Sequence, residues 1–189
     1  MIAKAPQIHT EPTNNGSKPT GGPVEQPRVL YTDRLVLRPF ALGDLDAYCD
    51  YYCGPRTAGV GGPKPRHIVV ERFMAMAGQW ALRGFGRYAI DLNGTGIGHV
   101  GIMQMDDTDP LELTWTLWDA ARQGNGYASE AARAVLAAWT GPPLVAFILP
   151  DNSASIRVAE RLGFVEDTKA VAPGWMADSR AFRAQKDGT

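Results

Sequence analysis

The chain has 189 residues, 44% of them hydrophobic, which is enough for one domain with a proper core. Its 19 Lys and Arg against 20 Asp and Glu leave a net charge of −1, which removes the electrostatic case for a polyanionic partner, nucleic acid included. No run of roughly eighteen apolar residues occurs, so no membrane span is expected, and the first residues lack the apolar segment of a secretion signal, so a cytoplasmic location is the expectation.

Residues 1–27 read as a flexible tail, because Glu11 to Pro23 is rich in Pro, Gly and polar residues without apolar periodicity. A single domain is expected over 28–189. Alternation at Leu35, Leu37 and Phe40 predicts a strand ending at Pro39. Asp44 to Tyr52 has helical spacing at Leu45, Tyr48 and Tyr52. A Gly- and Pro-rich loop over 54–65 precedes a second helix, Arg66 to Leu82, whose predicted apolar stripe is Val69, Phe73, Met74 and Trp80. Cys49 and Cys53 lie four apart in the first helix, but no histidine has ligand-like spacing to them. They are read as reduced thiols, and no metal or disulfide is expected.

Three strands follow, Tyr88 to Leu92, Ile97 to Met105 and Leu111 to Trp118, the first two joined by the turn signal Asn93-Gly94. Then come a helix from Tyr127 to Trp139, a buried strand from Leu144 to Leu149, a helix from Ser153 to Leu162, and final strands over 164–170 and 175–184. This order predicts an α/β (α+β) fold with antiparallel and parallel parts in one mixed sheet.

The chemistry concentrates in two stretches. In the first, a strand runs into Arg122-Gln123-Gly124-Asn125-Gly126-Tyr127-Ala128, where a helix begins. The glycines let backbone approach a ligand, and the helix start offers unpaired N–H groups with positive polarity behind them. Together these make a seat for a diphosphate, with Arg122 adding charge at the rim. The Gly-Lys-Ser/Thr ending of a nucleotide P-loop is absent, and Ser129 stands where a dinucleotide fingerprint needs Gly or Ala. Alone, the segment also fits an ordinary tight turn. The second stretch, Asp151 to Phe164, is a helix capped by Asn152 or Ser153 and ended by Gly163.

The loop Arg122 to Ala128 resembles the Q/R-x-x-G-x-G/A signature of the GNAT acetyltransferases, and Asn152 to Phe164 is similar to their N-x-x-S…GF helix. Thr32-Asp-Arg-Leu-Val-Leu-Arg-Pro39 looks like the opening strand of the branch that includes ribosomal-protein N-terminal acetyltransferases. The resemblance spans about residues 30 to 185. It implies a mostly antiparallel central sheet of six to seven strands flanked by about four helices, splayed between the fourth and fifth strands.

It also implies acetyl-CoA as cosubstrate, with the pyrophosphate on the amides of Gln123, Gly124, Asn125, Gly126, Tyr127 and Ala128. Leu117 and Trp118 would present backbone groups to the thioester, Asn152 would touch the pantetheine, and Ser155 would sit near the sulfur. Glu112 occupies the position of a strand glutamate in that branch and is the candidate general base, acting through a water. It shares a strand face with Thr114 and Thr116 by period two. Ser155 is the candidate acid, because the tyrosine that many family members carry seven residues after the asparagine is here Ala159. His99, Arg34 and Arg38 are read as structural.

The implied activity is transfer of an acetyl group to a primary amine, on a small molecule, an amino acid or a peptide N-terminus. The alternative is an acyl-CoA-binding sensor or complex subunit without turnover. Dimers are frequent in that branch, so a homodimer is compatible with the resemblance.

Overall fold

The computed structural model describes residues 26–184. The tail expected over 1–27 lies almost wholly outside the described residues. Among the described residues, eight strands and four α-helices form the fold. The strands are β1 (Leu30–Tyr31), β2 (Val36–Arg38), β3 (Arg87–Leu92), β4 (Thr95–Met103), β5 (Glu112–Leu117), β6 (Val145–Ile148), β7 (Phe164–Glu166) and β8 (Arg180–Ala184). The helices are α1 (Leu45–Tyr52), α2 (Arg66–Arg83), α3 (Tyr127–Ala138) and α4 (Ser153–Arg161).

One open sheet runs β1-β2-β3-β4-β5-β6-β8-β7. All neighbours are antiparallel except β5 and β6. That parallel pair meets only at Glu112 and Val145, where the Val145 N–H donates to the Leu111 carbonyl at 3.0 Å. Beyond that point the two strands part, which is the splay that the resemblance implied between the fourth and fifth predicted strands. The eighth strand is β1, a two-residue segment folded back on β2 by Thr32. The Thr32 hydroxyl accepts from the Leu35 N–H at 2.9 Å. The expected strand over 175–184 is a short 3₁₀ turn at Gly174–Met176 followed by β8.

The β3–β4 hairpin turns at Asn93 and Gly94, both left-handed at φ 55° and 83°. That double requirement is why Asn-Gly is a strong turn signal. In α2 the buried stripe is Val69, Phe73, Met76 and Trp80, whereas Met74 is exposed. Helix periodicity permits either methionine. The sheet selects Met76.

Alternation sorts the central strands into two faces. Val100, Ile102 and Leu113 pack in the main core with Ala131, Ala132 and Val135 of α3. The opposite face carries His99, Glu112, Thr114, Thr116 and Trp118 beneath α1, where Tyr48 meets the Trp118 ring edge-on at 5.7 Å. This second face is polar yet covered.

Arg38 ties β2 to this layer. Its guanidinium donates to both carboxylate oxygens of Asp44, at 2.8 and 2.9 Å, and to Asp91 at 2.8 Å. Asp44 is 4% exposed and also accepts from the Ala41 N–H. Removing one partner of a buried pair costs roughly 3–5 kcal/mol, so Asp44→Ala is expected to destabilise the fold by about 3 kcal/mol, Arg38 being part-exposed. Urea denaturation measures this, and a loss under about 1 kcal/mol would show the network to be a surface one.

Candidate active site

The glycine loop expected to seat a diphosphate lies where β5 hands over to α3. A 3₁₀ turn, Ala120–Arg122, is capped by Asp119, whose carboxylate accepts from the Ala121 N–H. Gly124 and Gly126 both take left-handed angles, φ 77° and 83°, and Gly126 is the N-cap of α3. The first intrahelical bond runs from the Glu130 N–H to the Gly126 carbonyl at 3.0 Å. Among the described residues, the N–H groups from Gly124 through Ser129 find no acceptor.

Gln123, Gly124, Gly126, Tyr127, Ala128 and Ser129 open onto a cleft of about 900 Å³. A side-chain atom at Gly124 would meet nothing within 4 Å. The seat is open, not plugged. Asn125 turns away, donating to the Ala121 and Gln123 carbonyls. Arg122 also lies off the cleft, its Nε 3.5 Å from Asp119. Cationic charge comes instead from Arg56, Arg157 and Arg161 along the walls. Tyr127 packs beneath the Arg34 guanidinium, 4.5 Å from ring centre, while Arg34 is bound to Glu130 at 2.6 Å.

A second cleft of about 730 Å³ lies on the α1–α2 side of the sheet and holds Glu112. Trp115, Thr116, Leu149, Asn152 and Ser155 border both clefts, so the two meet at the splay. Asn152 caps α4, accepting from the Ser155 N–H at 3.1 Å, which holds Ser155 at this junction.

Backbone polarity at the splay follows from register. The Trp118 N–H donates to the Ile97 carbonyl at 2.9 Å and the Trp118 carbonyl accepts from Arg56, so neither group is free. Since backbone groups alternate sides along a strand, those of Trp115 and Leu117 face the β6 side, where pairing has already ended. The open edge therefore belongs to Leu117 and Trp115 and not to Trp118. The Trp118 side chain is buried and donates through Nε1 to Nδ1 of His99 at 3.1 Å.

Glu112 is 5% exposed, and its Oε2 has no partner among the described residues. Burial pushes its carboxyl up to about 8, while the Arg87 charge and a backbone N–H of Phe147 pull it partway back and Asp109 adds a small upward push. A base poised near neutral pH is what deprotonating an amine requires. His99 is held down to about 3 by burial and by Arg87, which leaves it neutral. Burial likewise pushes the Tyr52 phenol up to about 12, so it keeps its proton beside this cleft.

Arg87, Tyr52 and Ser129 escaped the sequence reading. Arg87 and Ser129 each bury a polar atom without a partner, Nε and Oγ respectively. Only strand register brings Arg87, opposite Gly101, onto the Glu112 face. Ser129 was read as a defect in a dinucleotide motif, whereas its place in the first turn of α3 is the usable signal. Ala159 is fully buried in the core, where the family's tyrosine position would otherwise be sought. Cys49 is buried and Cys53 exposed, both as free thiols. No cluster able to hold a metal occurs among the described residues, and none of their helices is long and apolar enough to cross a membrane.

Comparison with known proteins agrees with this geometry. The model of an acetyltransferase (GNAT) domain matches residues 34–165. An acetyltransferase from Agrobacterium tumefaciens is similar at 34% identity, over 94% of this chain and all of its own, with a TM-score of 0.75. A GNAT-family acetyltransferase from Bordetella pertussis is 28% identical over 84% of this chain and all of its own, at 0.67. A ribosomal α-N-protein acetyltransferase solved with coenzyme A shares the fold at 15% identity and 0.67, over 83% of this chain and 97% of its own. The ribosomal-protein branch suggested by Thr32 to Pro39 is thus only a distant neighbour. With the domain model covering most of its length and a full-length relative at 34% identity, the chain belongs to the GNAT acetyltransferase family.

Proposed function

We propose that the protein is an acetyl-CoA-dependent N-acetyltransferase that joins both substrates in one complex and lets a primary amine attack the thioester directly. The observation that carries this reading is the union of two clefts at the splay. One presents a row of unpaired amides suited to a diphosphate, and the other a buried carboxylate suited to an amine.

In this reading the pyrophosphate of CoA sits on the amides of Gly124 to Ala128, the expected Gln123 N–H being already spent on the Ala120 carbonyl at 3.1 Å, and the pantetheine arm fills the gap between β5 and β6, touching Asn152. Glu112 takes a proton from the amine through a water. The amine nitrogen then bonds to the thioester carbon, and the oxyanion so formed accepts from a backbone N–H of the β5 edge, a role assigned to Leu117 in this reading. As the carbon–sulfur bond breaks, the nitrogen gives up its second proton and the thiolate takes one, with Ser155, which like Thr116 borders both clefts, as the relaying hydroxyl. An acceptor that is a small molecule, an amino acid or a peptide N-terminus fits these requirements.

The test is thiol release from acetyl-CoA with a panel of amines, beside calorimetric binding of CoA. Amine-dependent thiol release with acetylated product is the expected result. Tight CoA binding without turnover on any amine would replace the enzyme reading with that of an acyl-CoA sensor.

A further inference from the structure

Building on the N-acetyltransferase reading, we infer that the acceptor is an amine bearing its own carboxylate, as in a free α-amino acid with an apolar side chain, and that Arg87 receives that carboxylate.

The acceptor cleft is lined by three cations, Lys64, Arg72 and Arg87, against two acids, Glu112 and Asp178. Among the described residues none of these cations forms an ion pair. Arg87 is the unusual one. It opens β3 opposite Gly101, whose lack of a side chain lets the strands close in, since a Cβ there would lie 2.4 Å from the Gly86 carbonyl oxygen. Its Nε is buried and unpartnered, as is Oε2 of Glu112 on the same sheet face. Burial disfavours charge on both groups, pulling Arg87 down and Glu112 up. A guanidinium nevertheless keeps its proton, so its charge requires an anion or water.

A fixed positive charge and a carboxyl able to ionise thus face one cleft without closing on each other. A free amino acid supplies the missing halves: its amine goes to Glu112 and its carboxylate to Arg87, where guanidinium geometry suits bidentate binding. A peptide N-terminus carries an amide at that place, and a polyamine would bring a cation against Arg87. The remaining wall includes Tyr48, Tyr52, Met103, Met105 and Trp175, which suits an apolar side chain.

The experiment compares phenylalanine, methionine and leucine with their amides and with their decarboxylated amines, as acetyl acceptors for the full chain. The expected result is a kcat/KM about tenfold to a hundredfold higher for the acids, the range of a charged hydrogen bond. In Arg87→Met the preference for acid over matched amine should fall at least about tenfold, through KM. Taking this ratio cancels any effect of the lost charge on Glu112, which all acceptors share. Arg72→Ala, at an exposed position on α2, should move the ratio the same way by less, and it serves if Arg87→Met does not fold. Amides or decarboxylated amines that match or exceed the acids would overturn the inference and leave the acetyltransferase reading intact. If no acceptor releases thiol, the enzyme reading fails instead. The acceptor half of the inference falls with it, and calorimetry with the CoA complex then decides the carboxylate half: binding of phenylalanine but not its amide upholds Arg87 as the receiver, and equal or no binding overturns it.

Discussion

Replacing Glu112 with glutamine is expected to lower turnover by about a hundredfold to ten-thousandfold, the usual worth of a positioned base, while CoA binds nearly as before. The separation follows from placement. Glu112 lies at the closed end of the splay, in the cleft on the α1–α2 side, and does not line the cleft at the Gly124 loop that is proposed for CoA. Glutamine keeps the size and can still accept from the Phe147 N–H, so the fold has little to lose. The pH profile supplies a second readout. Because burial raises Glu112 to about 8, the basic form grows as pH rises through that value, and kcat/KM should climb with it before levelling. An acceptor whose amine titrates well below Glu112 removes the substrate's own ionisation from the profile. The limb near 8 should then vanish in Glu112→Gln. Unaltered turnover, or a collapse of CoA affinity, would take Glu112 out of the mechanism.

Much of this architecture was legible because local chemistry and global fold agree. Asn93-Gly94 demanded a turn that no other pair makes as readily, and Gly163 stopped α4 in the left-handed conformation its position needs. The helices carrying Gly126 and Asn152 were bounded correctly because caps are written in two or three adjacent residues. What escaped depends on partners far away in the chain. The strand β1 has two residues and no period of its own. The insertion of β8 between β6 and β7 leaves no local trace.

Side-chain roles at the site divided along the same line. Glu112, Gly124, Gly126, Asn152 and Ser155 came from contiguous motifs and converge on the clefts. Arg87 became meaningful only when register set it beside Glu112, and the change of edge from Trp118 to Leu117 is a matter of strand phase. That phase is fixed by the bond from Trp118 to Ile97, at a bulge between β3 and β4. No count of apolar spacing along β5 reveals it.

Gly126→Val should have the opposite kinetic signature, abolishing CoA binding while sparing the rest of the domain. Gly126 holds φ at 83°, where a β-branched residue is strained by roughly 1–3 kcal/mol, and the nearest atom to an added Cβ is the Arg34 guanidinium at 3.5 Å. The fold can bear that strain, but the diphosphate cannot share the seat with a valine. Bonds from N–H groups to a charged acceptor contribute about 1.5–3 kcal/mol each, so displacement from two of them weakens CoA by about two to four orders of magnitude. Pantetheine lacks the diphosphate and provides the control. Its weaker binding should survive the substitution, because in the proposed reading its contacts lie between β5 and β6. Gly124→Ala adds a methyl where the protein itself has nothing within 4 Å, though at a left-handed φ of 77° that costs some backbone strain, so a loss of CoA affinity with an unchanged melt reports the ligand's position. Calorimetry on the two variants, with a thermal melt to check folding, reads all of this. Wild-type CoA affinity in both would move the diphosphate to another part of the cleft, and equal loss of pantetheine and CoA would mean that the substitution had acted through the fold.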